Sequence, residues 1–183
     1  MQKKTVCVGT VGAGYAAYLH GNGYEKVSSI NVRLKTICDV NQERAAAVQK
    51  RYGYEEICSD YHQMLTDPEI DVIDIVTPPV AHPQMIIDAL SAGKHVICEK
   101  PLTGYFGAPG SQDVGVTVPK KVMFQQVMEE MDKLKQAIAQ SNSKFMYAEN
   151  FVYATPVQKA AEIIRAKSSK ILWLKGEESV KGS

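Results

Sequence analysis

A chain of 183 residues with a formal net charge of +1 has no surplus of positive charge with which to grip a polyanion. Its 45% hydrophobic and 22% charged content is that of a globular protein with one sizeable core, or one domain and part of another. No run approaches the roughly 20 apolar residues that span a bilayer, so neither nucleic acid nor membrane is expected as a partner.

Short apolar runs alternate with amphipathic ones along the chain, which predicts an α/β fold with a doubly wound parallel sheet. Thr5–Val11 predicts a first strand, and a helix follows from near Gly14. Val32–Cys38 predicts a second strand ending at Asp39. Glu43–Tyr52 is Ala-rich and helical, closed by Gly53 in the left-handed region. Ser59 or Asp60 is placed to cap a short helix through Leu65, which Asp67-Pro68 breaks. Val72–Val76 predicts a third strand ending in Thr77-Pro78-Pro79. His82–Ser91 follows as a helix, stopped by Gly93, and leads into a strand over Val96–Cys98.

Residues 104–119 hold four glycines, two prolines and no lysine or arginine, which predicts a long loop, either a lid or a tolerated insertion. Val127, Met131, Leu134 and Ile138 mark one face of a long amphipathic helix. Lys144–Ala148 predicts a strand, Val157–Ala166 a helix and Lys170–Lys175 the start of a last strand. Ile171-Leu172-Trp173-Leu174 is apolar enough to require partners, and the nine residues after it supply none.

Cys7, Cys38, Cys58 and Cys98 contain no C-x-x-C pair, and three of them sit in strand-like runs as small hydrophobes. That pattern fits reduced thiols, with no disulfide framework and no metal site. Lys3-Lys4 ahead of apolar Val6 to Leu19 superficially resembles a secretory signal, but glycines at 9, 12 and 14 interrupt the run. A cytoplasmic protein is expected.

The run from Gly9 to Ala17 contains Gly12-x-Gly14-x-x-Ala17, the G-x-G-x-x-A pattern that follows a strand and opens a helix in dinucleotide-binding folds. The first glycine allows the tight turn, the second lets backbone approach a pyrophosphate, and Ala17 allows close helix–strand packing. Gly12, Ala13, Gly14, Tyr15 and Ala16 are therefore candidate cofactor-binding residues, with the helix N-terminus holding the phosphate charge. Asp39 stands at the second strand's tip, 25 residues beyond Gly14, where a carboxylate accepts ribose hydroxyls and repels a 2′-phosphate. This favours NAD, although Arg44 nearby offers a cation to a phosphate and keeps NADP open. A plain turn or helix cap is the alternative role for Asp39.

Thr77 and Pro78 end the third strand beside the same crevice, as a rigid apolar edge for the cofactor or as a simple turn. His82 follows near that rim, where a histidine is more often structural than functional. In Glu99-Lys100-Pro101 the lysine is confined to extended geometry by the proline and oriented or charge-balanced by the glutamate. An ammonium held so at a strand tip can stabilise charge that develops during hydride transfer, which makes Lys100 the catalytic candidate. A surface Glu-Lys pair is the plainer alternative.

Taken together, these residues resemble the Gfo/Idh/MocA oxidoreductases. The resemblance runs in order through Gly9-x-x-Gly12-x-Gly14-x-x-Ala17, Asp39, Thr77-Pro78, His82, Ala89 to Val96, and Glu99-Lys100-Pro101-Leu102. Tyr147-Ala148-Glu149-Asn150 with Pro156 looks like the crossover out of the nucleotide domain. The resemblance implies a Rossmann domain over 1–148 binding NAD or NADP, and the beginning of a second α/β domain over 149–183. It also implies reversible hydride transfer at a carbinol carbon of a sugar, inositol or related polyol, and a homo-oligomeric full-length protein. By the same analogy Lys100 contacts substrate and nicotinamide, while Glu99, His82 and Asn150 lie around the nicotinamide pocket. The family's substrate domain carries its acid/base histidine, which has no counterpart here, so the chain is expected to be the N-terminal part of a longer protein. Loop 104–119 exceeds the family's usual link.

Other classes compete with this reading, and the missing acid/base residue and the unpartnered run 171–174 fit the first of them equally. A stand-alone NAD-binding sensor without turnover would use the same crevice. A SAM-dependent methyltransferase pairs a glycine loop with an acidic strand tip but has no use for Glu99-Lys100-Pro101. A short-chain dehydrogenase needs a tyrosine followed by lysine four positions later, and a P-loop needs Lys-Ser/Thr after its last glycine; neither pattern occurs.

Overall fold

β-branched and apolar residues dominate the runs that build the sheet, and the first two long runs end at Gly12 and Asp39. In the computed structural model, which describes residues 3–108, 110–173 and 175, the chain forms two compact units, Met1–Ala148 and Glu149–Ser183. The first unit contains strands β1 (Thr5–Val11), β2 (Asn31–Cys38), β3 (Glu56–Cys58), β4 (Val72–Ile75), β5 (His95–Glu99) and β6 (Phe145–Ala148). Its helices are α1 (Tyr15–Tyr24), α2 (Gln42–Tyr52), α3 (His62–Thr66), α4 (His82–Ser91), α5 (Val114–Thr117) and α6 (Lys120–Gln140). The strands form one parallel sheet in the order β3-β2-β1-β4-β5-β6, the doubly wound Rossmann arrangement, whose direction of winding reverses between β1 and β4.

Register carries this topology into function. Cys58 pairs with Cys38, Cys38 with Val11, Val11 with Ile75, Ile75 with Cys98, and Cys98 with Tyr147. The six strands therefore finish along one row, and whatever follows each of them lands on a single edge. Helices bury both faces. On one, Ile73, Ile75, Val96 and Cys98 pack with Met64, Ile86, Ala89, Leu90 and Leu134; on the other, Ile37 and Val76 pack with Ala13, Ala17, Ala45, Val48 and Tyr54.

The sequence misses β3, whose three residues are too few to show an alternation. Neither Ser59 nor Asp60 is the cap of α3: Tyr61 holds that position without a side-chain cap, and Asp60, one residue earlier, accepts the His62 amide at 3.0 Å. Segment 104–119 is not all loop, because Val114–Thr117 forms the single turn α5. The expected strand over 170–175 does not form: Lys170–Trp173 and Lys175 lie in no strand, Leu172 is 93% exposed, and Leu174 lies outside the described residues. A strand needs a hydrogen-bonding neighbour. Among its described residues the second unit offers only a 3-10 turn (Asn150–Tyr153) and α7 (Thr155–Ala166).

One buried group breaks the apolar pattern. Asp74 lies in the middle of β4 with no solvent exposure, where its neighbours Ile73 and Ile75 are core. Its carboxylate accepts the Tyr24 hydroxyl at 2.7 Å and a longer bond from Thr10 at 3.5 Å, and it faces Nδ1 of His20 at 2.9 and 3.0 Å. Burial alone would lower the His20 pKa, but the Asp74 and Glu99 carboxylates outweigh it and hold the ring up at about 9. A pKa raised above its unfolded value stabilises the fold fully below the unfolded pKa and is lost as pH rises through the folded one. Stability should therefore fall between about pH 6.5 and about pH 9, by on the order of 3 kcal/mol at most. Urea unfolding across that range checks it, and a His20→Gln variant should lose the slope.

Candidate cofactor site

The crevice opens where the winding reverses, and the turn after β1 shapes it. Gly12 has φ +103, and a Cβ there would stand 2.8 Å from the Val76 carbonyl oxygen and 3.1 Å from the Thr77 nitrogen. Only glycine fits that approach. The Gly12 amide donates to the Cys38 carbonyl at 2.7 Å, which ties the turn to β2 as well. Gly14 is the N-cap of α1, has no side-chain cap, and faces open space within 4 Å of where a Cβ would be. The first amides of α1, at Tyr15 and Ala16, thus end a helix on an open, uncapped surface suited to an anion. Ala17, with no exposure, packs that helix onto the sheet.

Asp39 follows β2. One of its oxygens accepts the Ala13 amide at 2.6 Å and the other the Asn41 amide at 2.7 Å. A carboxylate has about four acceptor positions, so Asp39 fixes the glycine loop and keeps lone pairs for a pair of hydroxyls. Beside it lies a cavity of about 350 Å³ lined by Val40, Arg44, Thr77, Pro78, Ala81 and Met85 among others. Mainly apolar walls with one carboxylate at the rim suit an adenine ring and its ribose. Arg44 also borders the open surface at Gly14 and Tyr15. Its guanidinium forms no ion pair among the described residues.

Thr77 and Pro78 line the cavity, as their place after β4 requires. His82 does not. It has no exposure, and its ring spans two carbonyls, Nδ1 lying 2.9 Å from Pro101 O and Nε2 2.9 Å from Thr77 O. It staples the chain after β4 to the chain after β5 from inside the protein.

At the end of β5 the Glu99 side chain turns back. Its Oε2 accepts the Lys100 amide at 2.9 Å and its Oε1 lies 3.3 Å from His20 Nε2. Lys100 is exposed, joined to Pro101 by a cis peptide, and its ammonium makes no ion pair among the described residues. Asn150 belongs to the second unit, exposed at the start of its 3-10 turn. The structure thus brings Gly12, Ala13, Gly14, Tyr15, Ala16, Asp39, Thr77, Pro78, Glu99 and Lys100 to one edge. His20 and Asp74 are absent from the sequence reading, since nothing local in the chain pairs them.

Residues 6–108 match the oxidoreductase family Gfo/Idh/MocA, described as having an NAD-binding Rossmann fold. Levoglucosan dehydrogenase of Pseudarthrobacter phenanthrenivorans is 39% identical over 102 residues, 52% of this chain and 26% of that protein. The NAD-dependent scyllo-inositol 2-dehydrogenase of Bacillus subtilis is 36% identical over 104 residues, 56% of this chain and 30% of that one. Among solved structures, levoglucosan dehydrogenase in complex with NADH superposes with a TM-score of 0.68 at 28% identity, covering 89% of this chain and 40% of that one. The scyllo-inositol dehydrogenase of Lactobacillus casei with NAD(H) and scyllo-inositol gives 0.71 at 26% identity, over 90% and 42%. The match thus covers under a third of these curated relatives and about two fifths of these solved chains. With its fingerprint glycines, acidic β2 tip and strand order in place, the chain belongs to the Gfo/Idh/MocA oxidoreductase family through its NAD-binding Rossmann domain.

Proposed function

We propose that this chain supplies the cofactor-binding half of an NAD(P)-dependent dehydrogenase acting on a carbinol carbon of a sugar, inositol or related polyol. One arrangement carries the reading: Asp39, the Gly12–Gly14 turn, Thr77-Pro78 and Lys100 all follow strands that finish in one row. The dehydrogenases of levoglucosan and inositols among its relatives support the substrate class. Residues 149–183 then act as the crossover and first elements of a substrate domain.

A nicotinamide bound here would supply the hydride acceptor or donor. The chain's own part is to bind and orient. The uncapped start of α1 takes the pyrophosphate, Asp39 takes ribose hydroxyls with the acceptor positions it keeps, and the Pro78–Met85 wall takes the adenine. Lys100 extends its ammonium beyond β5, where it donates to the substrate oxygen and stabilises the negative charge that grows as the hydroxyl loses its proton. Glu99 holds that lysine's main chain.

Calorimetric titration should find NAD binding to this chain. An Asp39→Ala variant should weaken NAD by about 10-fold and narrow its advantage over NADP, since two charge-assisted bonds go and a repulsive charge goes with them. An unchanged NAD:NADP ratio would remove Asp39 from the ribose. In the active dehydrogenase, Lys100→Ala should lower kcat by about 1,000-fold on a panel of inositols and sugars while NAD affinity falls by about 10-fold, so that turnover suffers much more than nucleotide binding. Equal turnover would deny Lys100 its role, and nucleotide binding without turnover on any polyol would favour a sensor module.

A further inference from the structure

We infer that His20 is a positioning residue for the nicotinamide side of the site: by bridging Asp74 and Glu99 it fixes the Glu99 carboxylate that holds the Lys100 main chain. The inference rests on the proposed cofactor role of the crevice. Three elements meet at this ring. α1 brings His20 itself, β4 brings Asp74 and β5 brings Glu99.

A purely structural role would be complete with Asp74 alone. The buried carboxylate already has Tyr24 and Thr10 as donors, and one nitrogen of His20 supplies a third. The second nitrogen instead reaches Glu99 Oε1, on a side chain at the end of its strand, and the other Glu99 oxygen takes the Lys100 amide. The chain of contacts therefore runs outward from the core to the catalytic candidate. It also begins on the helix whose first turn faces the cofactor phosphates, so one rigid α-helix carries both ends of the site.

The two contacts need both ring nitrogens as donors, which only the imidazolium provides. His20 has a pKa of about 9, so at neutral pH the bridge is intact. The other titratable group against it is Tyr24 on its own helix, its ring edge-on at 6.5 Å, while Cys98 on β5 packs on the sheet's other face but feels the same Asp74 and Glu99 carboxylates. Tyr54 reaches Asp74 only through the Thr10 hydroxyl. Burial pushes both tyrosines up, with Asp74 adding to the rise, and it pushes Cys98 up to about 12, so His20 is the group that changes charge first as pH rises. Loss of its proton removes one of the two donors and frees Glu99.

Two measurements test this. In the first, the Lys100 backbone amide is followed by NMR from about pH 7 to about pH 10. Its shift should step near pH 9, and the step should vanish in Glu99→Gln, which leaves the His20–Asp74 pair in place, and in His20→Gln. A Lys100 amide that shows no step, or keeps it in both variants, overturns the inference whether or not nucleotide binds. In the second, NADH and ADP-ribose are titrated against the chain. His20→Gln should weaken NADH about 10-fold at neutral pH while ADP-ribose stays within about 2-fold, because only NADH extends to Lys100. Equal loss for both ligands would make His20 merely structural. If neither ligand binds the unaltered chain while the amide step persists, the positioning role stands and the cofactor reading falls.

Discussion

The approach of Gly12 to the Val76–Thr77 peptide is the contact on which the crevice depends. It joins the two strands between which the winding of the sheet reverses, and it does so at van der Waals limit, with no space for a single added carbon. From that point the register does the rest. Parallel pairing without offset at the β1–β4 and β4–β5 steps puts the chain after each strand on a common edge. An edge built this way gathers short loops from distant parts of the chain without any loop having to reach. The irregularity between Val8 and Gly9 in the β1–β2 pairing is absorbed before the strands end, so Val11 still finishes beside Cys38.

The second organising element is a charge placed where an apolar residue would be expected. Asp74 costs desolvation free energy that a valine would not, and the fold offsets it with two hydroxyls and an imidazolium. Among the described residues no buried side-chain nitrogen or oxygen lacks a partner. A satisfied polar centre of this kind fixes the rotation and height of α1 on the sheet more sharply than apolar packing does, because hydrogen bonds are directional. The helix whose first amides open uncapped onto the crevice is thereby set to within the tolerance of those bonds.

The fold was legible in the sequence where information is local. Thr5–Val11, Asn31–Cys38 and Val72–Ile75 are apolar runs with hard stops, and Gly53 and Gly93 close their helices and turns at φ 77 and 76 as expected of αL glycines. Gly12 and Asp39 were legible because fingerprint and carboxylate sit in fixed relation to strand ends. His82 was placed at a pocket rim by its position in the chain, yet its ring turns inward. A sequence gives the position of a residue on a helix but not the carbonyls its side chain will meet. His20 and Asp74 were invisible because they are 54 residues apart and neither has a local partner. Ile171–Trp173 misled in the opposite direction, since apolar content states a need for burial without saying where it is met. Part of the family-like run from Gly93 to Val96 is scaffold, with Lys94 donating to the Asp67 and Ile70 carbonyls at 2.5 and 2.9 Å and His95 accepting the Lys144 amide.

The His82 staple has a consequence for anyone redesigning this protein. Because one ring joins the carbonyls of Thr77 and Pro101, the segments after β4 and β5 form a single exchangeable part. Grafting either segment alone from a relative would risk leaving one of these two carbonyls without the ring that holds it. Asp39 and Arg44 lie after β2 and on α2, outside that staple, so neither is held by the His82 ring.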